Sequence, residues 1–163
     1  MITTIVRNRI DSNKLYGYVI MESDSLLMIA KEVDFQFDGF KIIRKRDITN
    51  REITDTNKYC ARIMKLEKCW VKIPSFVKSI DLSDWKTALS GIRSDVVILH
   101  NEKLDGGFYI GPILTLNTKN VDIGWFDGTG KWGEPDRIPY SKITACDFMD
   151  RYSSIHSKYL KWT

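Results

Sequence analysis

The chain has 163 residues, 43% hydrophobic and 28% charged, a balance that excludes a disordered polymer and allows one ordinary domain or two small ones. No apolar run approaches the ~20 residues a membrane-spanning helix needs, and Met1 to Arg7 lacks the features of a secretory signal, so a cytoplasmic protein with no membrane partner is expected. The net charge of +4 is mild, and basic and acidic residues are interspersed, which permits nucleic-acid binding without requiring it.

In chain order, the first half reads as short strands. Leu15 to Met21 is followed by the polar cluster Glu22-Ser23-Asp24-Ser25, a tight turn, and Leu26 to Val33 returns as the second arm of a hairpin. Phe40 to Ile48 gives another strand with imperfect alternation: Phe40, Ile42 and Arg44 share one face while Ile43 points the other way. Ile53 ends a further short strand.

The period then changes. Tyr59, Cys60, Ile63 and Leu66 fall at helical spacing between Thr56 and Leu66. A second helix is predicted from a Ser83 cap, with Trp85, Leu89 and Ile92 on one face and Gly91 near its end. Val96 to Leu99 reads as a buried strand. Phe108 to Leu116, the turn Asn117 to Asn120 and the return Val121 to Phe126 repeat the hairpin theme, and Arg137 to Thr144 gives one more strand. The tail from Asp150 to Trp162 places Tyr152, Ile155, Tyr159 and Leu160 on one helical stripe.

Gly17 corresponds to Gly111, and Ile48-Thr49 to Ile143-Thr144, at an offset of roughly 95 residues in both cases, which indicates an internal repeat. The expected class is mainly β with a few helices (α+β), divided into a first β lobe over 1–55, a helical connector over 56–94 and a second β lobe with a C-terminal helix or tail over 95–163. Lobes this small are marginal alone, so they are expected to dock through their helices.

Gly39 to Thr49, Leu82-Ser83-Asp84-Trp85 and Asp150-Arg151-Tyr152-Ser153, together with this order of elements, resemble a bacterial family of tandem Sm-like small β-barrels. The resemblance implies two docked barrels or half-barrels. Some members of this sort look like immunity proteins of contact-dependent growth inhibition systems, which bind and block a toxin domain. The Sm-like uridine site does not carry over: Leu26 to Ile29 contains no asparagine, and Lys45 follows Arg44 where the family's pattern has glycine.

Candidate chemistry is sparse. Cys60, Cys69 and Cys146 are odd in number with no Cys-x-x-Cys, so neither a disulfide framework nor a zinc ribbon is indicated. His100 and His156 have no neighbouring nucleophile or metal-ligand spacing, and surface or packing roles are expected for them. Asp127-Gly128-Thr129-Gly130-Lys131-Trp132-Gly133 has Trp132 where a phosphate-binding loop needs a hydroxyl, so it reads as a connecting loop. Its tryptophan serves either as a contact anchor or as packing.

Lys41, Arg44, Lys45 and Arg46 form the one basic run, either a contact for an acidic or phosphate-bearing partner or a charged sheet edge. Phe35 and Phe37 form either a partner-facing tip or part of the core. The expectation is a non-enzymatic module without cofactor or metal, which binds a cognate toxin domain through Trp132, Lys131, Asp127, Phe35, Phe37, Arg44 and Arg46. RNA is the alternative partner.

Overall fold

The computed structural model describes residues 1–69, 73–102 and 107–160. It is mainly β, with a large antiparallel sheet and four α-helices among the described residues. The first half contains β1 (Ile2–Arg7), β2 (Asp11–Glu22), β3 (Leu26–Val33), β4 (Gln36–Arg44), a 3-10 turn (Lys45–Asp47) and β5 (Asn50–Glu52). Helices α1 (Asp55–Leu66), α2 (Ser75–Lys78) and α3 (Trp85–Ser90) follow. The second half contains β6 (Val97–Asn101), β7 (Gly107–Gly111), β8 (Ile113–Leu116), β9 (Asn120–Ile123), β10 (Asp136–Pro139), a 3-10 turn (Tyr140–Lys142), β11 (Ala145–Phe148) and α4 (Arg151–Tyr159).

The predicted hairpin is β2–β3, and its polar cluster forms the turn: Ser23 Oγ accepts from the backbone N–H of Ser25 (3.1 Å) and Leu26 (3.0 Å). α1 starts at a Thr54–Asn57 capping box. The cap of α3 is Asp84, one residue after the predicted Ser83, because its carboxylate reaches the Thr87 N–H at 2.8 Å. The strand predicted over Phe108 to Leu116 is broken into β7 and β8 at Pro112, which has no N–H for a ladder.

With β7 and β8 taken as one strand broken at Pro112, the two halves share an order: four strands, a 3-10 turn and a last strand that pairs with the first. β5 lies against β1, and β11 against β6. The 3-10 turns also end alike, with Ile48 at φ −74°, ψ 122° and Ile143 at φ −71°, ψ 122°, the positions paired by the sequence repeat.

The larger sheet runs β5-β1-β2-β3-β4-β11-β6-β7, and β8, β9 and β10 form a second sheet. The halves were expected to meet through their helices. A main-chain ladder joins them as well, because β11 pairs antiparallel with both β4 and β6.

One face of the large sheet carries Leu26, Met28, Phe40, Ile42 and Phe148. It packs on Val77, Leu82, Trp85 and Leu89 of the helical segment and on Val121 and Ile138 of the small sheet. The other face holds a separate cluster of Ile5, Leu27, Ile29, Ile43 and Ala145. β4 is thus apolar on both faces, which is why its alternation is imperfect. It is also no edge strand, so the reading of its basic run as a charged edge fails: Lys41 and Arg44 are buried under the β11 junction.

Candidate functional surface around the last helix

α4 is seated by polar groups and turns its apolar face outward. Asp150 caps it, Oδ1 accepting from Ser153 N–H (3.0 Å) and Oδ2 from Ser153 Oγ (2.8 Å). The Arg151 N–H donates to Asp38 Oδ1 (2.8 Å), and Ser157 Oγ donates to Asp95 Oδ2 (3.0 Å). The small, buried Ser153 lets the helix lie close to the body of the protein. Leu160 packs with Val96 and Phe126.

The predicted stripe is real but faces solvent. Tyr152 is 52% exposed, Ile155 48% and Tyr159 71%, and only Leu160 turns in. Three and four residues apart, the exposed side chains line one side of the helix. Trp162, at the end of the predicted tail, lies outside the described residues.

The β3–β4 turn adjoins the start of this helix: Val33, Asp34, Gln36, Phe37, Asp38 and Arg151 line one shallow groove. Asp34 (φ 49°) and Phe35 (φ 63°) both adopt left-handed backbone, the signature of a two-residue type I′ hairpin turn. The Phe35 N–H is held by Glu32 Oε1 at 2.8 Å, and its ring is 40% exposed. A phenylalanine in this conformation costs roughly 1–3 kcal/mol, and such strain gathers at functional positions.

Phe37 instead packs edge-on against Phe40 (5.4 Å between centroids), which stacks on Phe148 (5.3 Å). Met149, at φ 55°, is a further exposed apolar residue in left-handed backbone. Gly39 (φ 68°) allows the close approach, since a Cβ there would overlap the Asp150 backbone.

At the other end of α4 lies the loop after β9. Asp127 Oδ1 accepts from Thr129 Oγ1 (2.6 Å), Thr129 N–H (2.8 Å) and Lys131 N–H (3.0 Å), and these bonds hold its carboxyl below the usual carboxylate range. Lys131 is exposed. Trp132 is half-buried and meets Phe126 edge-on at 5.8 Å, beside Leu160. Trp125 is the exposed tryptophan of this loop, its ring lying over Gly133. Thus Phe37, Asp127, Lys131 and Trp132 flank α4, whereas Phe35 lines a separate hollow with Leu15 and Tyr16 of β2 and Thr56 and Cys60 of α1.

Arg44 and Arg46 lie apart from them, at the opposite end of β4. Arg44 donates from Nε to Asp47 (2.6 Å) and from Nη1 to the Ser141 carbonyl (3.0 Å), and Arg46 is exposed.

A second cluster escaped the sequence reading. Asp147 on β11 meets Lys41 Nζ (2.7 Å), Lys31 Nζ (3.0 Å) and His100 Nε2 (2.5 Å). The Lys31 contact is an ion pair outside hydrogen-bond geometry. Burial alone would raise the Asp147 pKa, but Lys41, the His100 hydrogen bond and Lys31 hold it far below the usual range. Nearby, the fully buried Arg7 forks onto Glu102 at 2.7 and 2.8 Å, and Thr144 Oγ1 donates to the same carboxylate.

His100 therefore belongs to an ionic network, while His156 packs against Tyr152 (4.7 Å) and Phe126 (5.1 Å). No group of residues with metal-holding geometry occurs among the described residues, and no helix there is long and apolar enough to cross a membrane. Compared with known proteins, the chain matches no family model, no curated protein and no solved structure.

Proposed function

We propose that this protein is a non-enzymatic module that binds another protein, with the outer face of α4 as its docking ridge. The observation that carries this is the outward stripe of Tyr152, Ile155 and Tyr159 on a helix whose inner face is seated by serines. Contiguous exposed apolar side chains of this kind mark interaction sites, and aromatic residues with few rotatable bonds make efficient anchors. Met149, presented in left-handed backbone beside Arg151 and Ser154, extends the same surface. The ionisable groups that meet at Asp147 are committed to one another, which favours a structural role for them over catalysis.

In its particular form we read the module as an immunity protein that blocks a toxin nuclease domain, built from tandem Sm-like small barrels. The resembling segments Gly39 to Thr49, Leu82 to Trp85 and Asp150 to Ser153 support that reading, as does the order shared by the two halves. The net positive charge favours a partner domain with an acidic surface.

The test is co-purification and calorimetry with the protein domain encoded directly upstream. Tyr152→Ser, Ile155→Ser and Tyr159→Ser together should abolish the complex while leaving circular dichroism unchanged. Loss of one anchor alone should weaken binding about thirtyfold, or about 2 kcal/mol. No complex, or a complex indifferent to these changes, rejects the proposal.

A further inference from the structure

The turns of both halves converge on a cavity of about 590 Å³ at the end of β3 and β4 remote from Phe35. The β2–β3 turn and the first 3-10 turn line it from one half. Their counterparts, the β8–β9 turn and the second 3-10 turn, line it from the other, and the start of α3 closes the gap. We propose that this cavity binds a small phosphate monoester on a hydroxyl-bearing carrier: a sugar phosphate or a nucleoside monophosphate.

The charges define the anion. Arg46 and Lys86, both exposed on the lining, form no ion pair among the described residues. Lys119 and Lys142, exposed and likewise unpaired there, directly follow the lining residues Thr118 and Ser141. Arg44 is already oriented: Asp47 takes its Nε and the Ser141 carbonyl its Nη1, which leaves Nη2 for a ligand. A guanidinium fixed by its neighbours loses little entropy on gripping a phosphate.

The acids define the carrier. Asp24 and Asp84 share the lining, so a run of phosphates would meet repulsion, whereas a single phosphate with hydroxyl groups uses them as acceptors. That mixture favours a small ligand over a nucleic-acid backbone. Leu26, Trp85 and the half-buried Tyr140 supply apolar wall for a ring. Trp85 also keeps its indole N–H buried with no acceptor among the described residues, a deficit that an oxygen-rich ligand would fill after a small shift of the ring. The volume falls in the range of small-molecule sites.

The experiment is a nuclear magnetic resonance titration of the full chain with ribose 5-phosphate, AMP, adenosine and inorganic phosphate, following the Trp85 indole N–H and the amides of Ser25 and Thr118. The phosphate esters should give saturable shifts and bind about tenfold more tightly than adenosine or inorganic phosphate. Tighter binding of AMP assigns a nucleotide, and equal binding of the two esters assigns a sugar phosphate. Arg46→Glu with Lys86→Glu, both at exposed positions, should weaken binding at least about tenfold.

Absence of shifts, adenosine as tight as AMP, or an unaffected double variant overturns the proposal. A single-stranded oligouridylate that binds more tightly than AMP, and more so with length, replaces it with RNA binding. The site is remote from α4, so the two readings fail separately.

Discussion

Asp147 and Lys41 face each other directly across the ladder that joins the two halves, with Lys41 Nζ 2.7 Å from Asp147 Oδ2. Both are buried, so the pair cannot be broken from one side without stranding a charge. Asp147→Asn leaves Lys41 and Lys31 without their shared counter-ion and should cost about 3–5 kcal/mol in urea unfolding at pH 7. The carboxyl is held far below its unfolded value near 3.9. Its stabilisation is therefore full above that value and is lost as pH falls through and below it, by about 1.4 kcal/mol per pH unit. Unfolding free energies between pH 6 and pH 3 should fall more steeply for the native protein than for the variant, and parallel slopes would count against the assignment.

Arg7 and Glu102 offer a double-mutant cycle. Burial pushes the Glu102 carboxyl up, while hydrogen bonds from Arg7 and Thr144 and the Arg7 charge bring it below its ordinary value. Arg7→Met alone should destabilise by about 3 kcal/mol, since it leaves a largely buried carboxylate unpaired. Arg7→Met with Glu102→Leu should cost clearly less than the sum of the two single changes, as read by equilibrium unfolding.

Asp34→Asn with Phe35→Gly installs the residues that a type I′ turn prefers. Thermal unfolding should show a gain of about 1 kcal/mol as the left-handed strain is relieved. Calorimetry against the partner domain should show unchanged binding, because the Phe35 ring lies on the β2 and α1 side of the turn and not on the α4 ridge. A gain in stability with weaker affinity would extend the docking surface around the turn to Phe35.

Gly39 should be sensitive to alanine and Gly128 indifferent to it. Gly39→Ala combines left-handed backbone with overlap on the Asp150 main chain and should cost about 3 kcal/mol. Nothing lies within 4 Å of a Cβ at Gly128, so Gly128→Ala should stay within about 0.5 kcal/mol. Denaturant midpoints of the two variants test the contrast directly.

Much of the local structure was readable because turn chemistry is local. Ser23 in the turn Glu22 to Ser25 bonds to Ser25 and Leu26 beside it, and the helical spacing of Tyr59, Cys60 and Ile63 lies within α1, although the Thr54–Asn57 capping box that starts it at Asp55 was not read. The repeat was readable too, since Ile48 and Ile143 end identical turns. β11 was not: Ala145 to Phe148 is short and contains an aspartate, whose burial depends on lysines and a histidine from three other strands. β1 was not read either, although Asn8 and the cluster Asp11-Ser12-Asn13 follow it and all six of its residues are buried.

The candidate surface was legible only in pieces. Periodicity found the α4 stripe but carries no information about which side meets the body, and a tyrosine-rich face fits either answer. Trp132 stood out by its glycine neighbours, yet Phe126, six positions earlier, draws its ring inward while Trp125 stays exposed. Nothing near Arg44 in sequence announced the Ser141 carbonyl that fixes it.

The placing of β11 between β4 and β6 bears on how the polypeptide is made. Translation completes β4 roughly one hundred residues before the strand that covers it. Through that interval the growing chain carries β4 paired with β3 on one side and open on the other, an edge that can pair with a similar strand on a neighbouring ribosome. Its hazard is one of timing: slow or stalled elongation should send the product into inclusion bodies, while slower initiation or added chaperone should rescue it without any change of sequence.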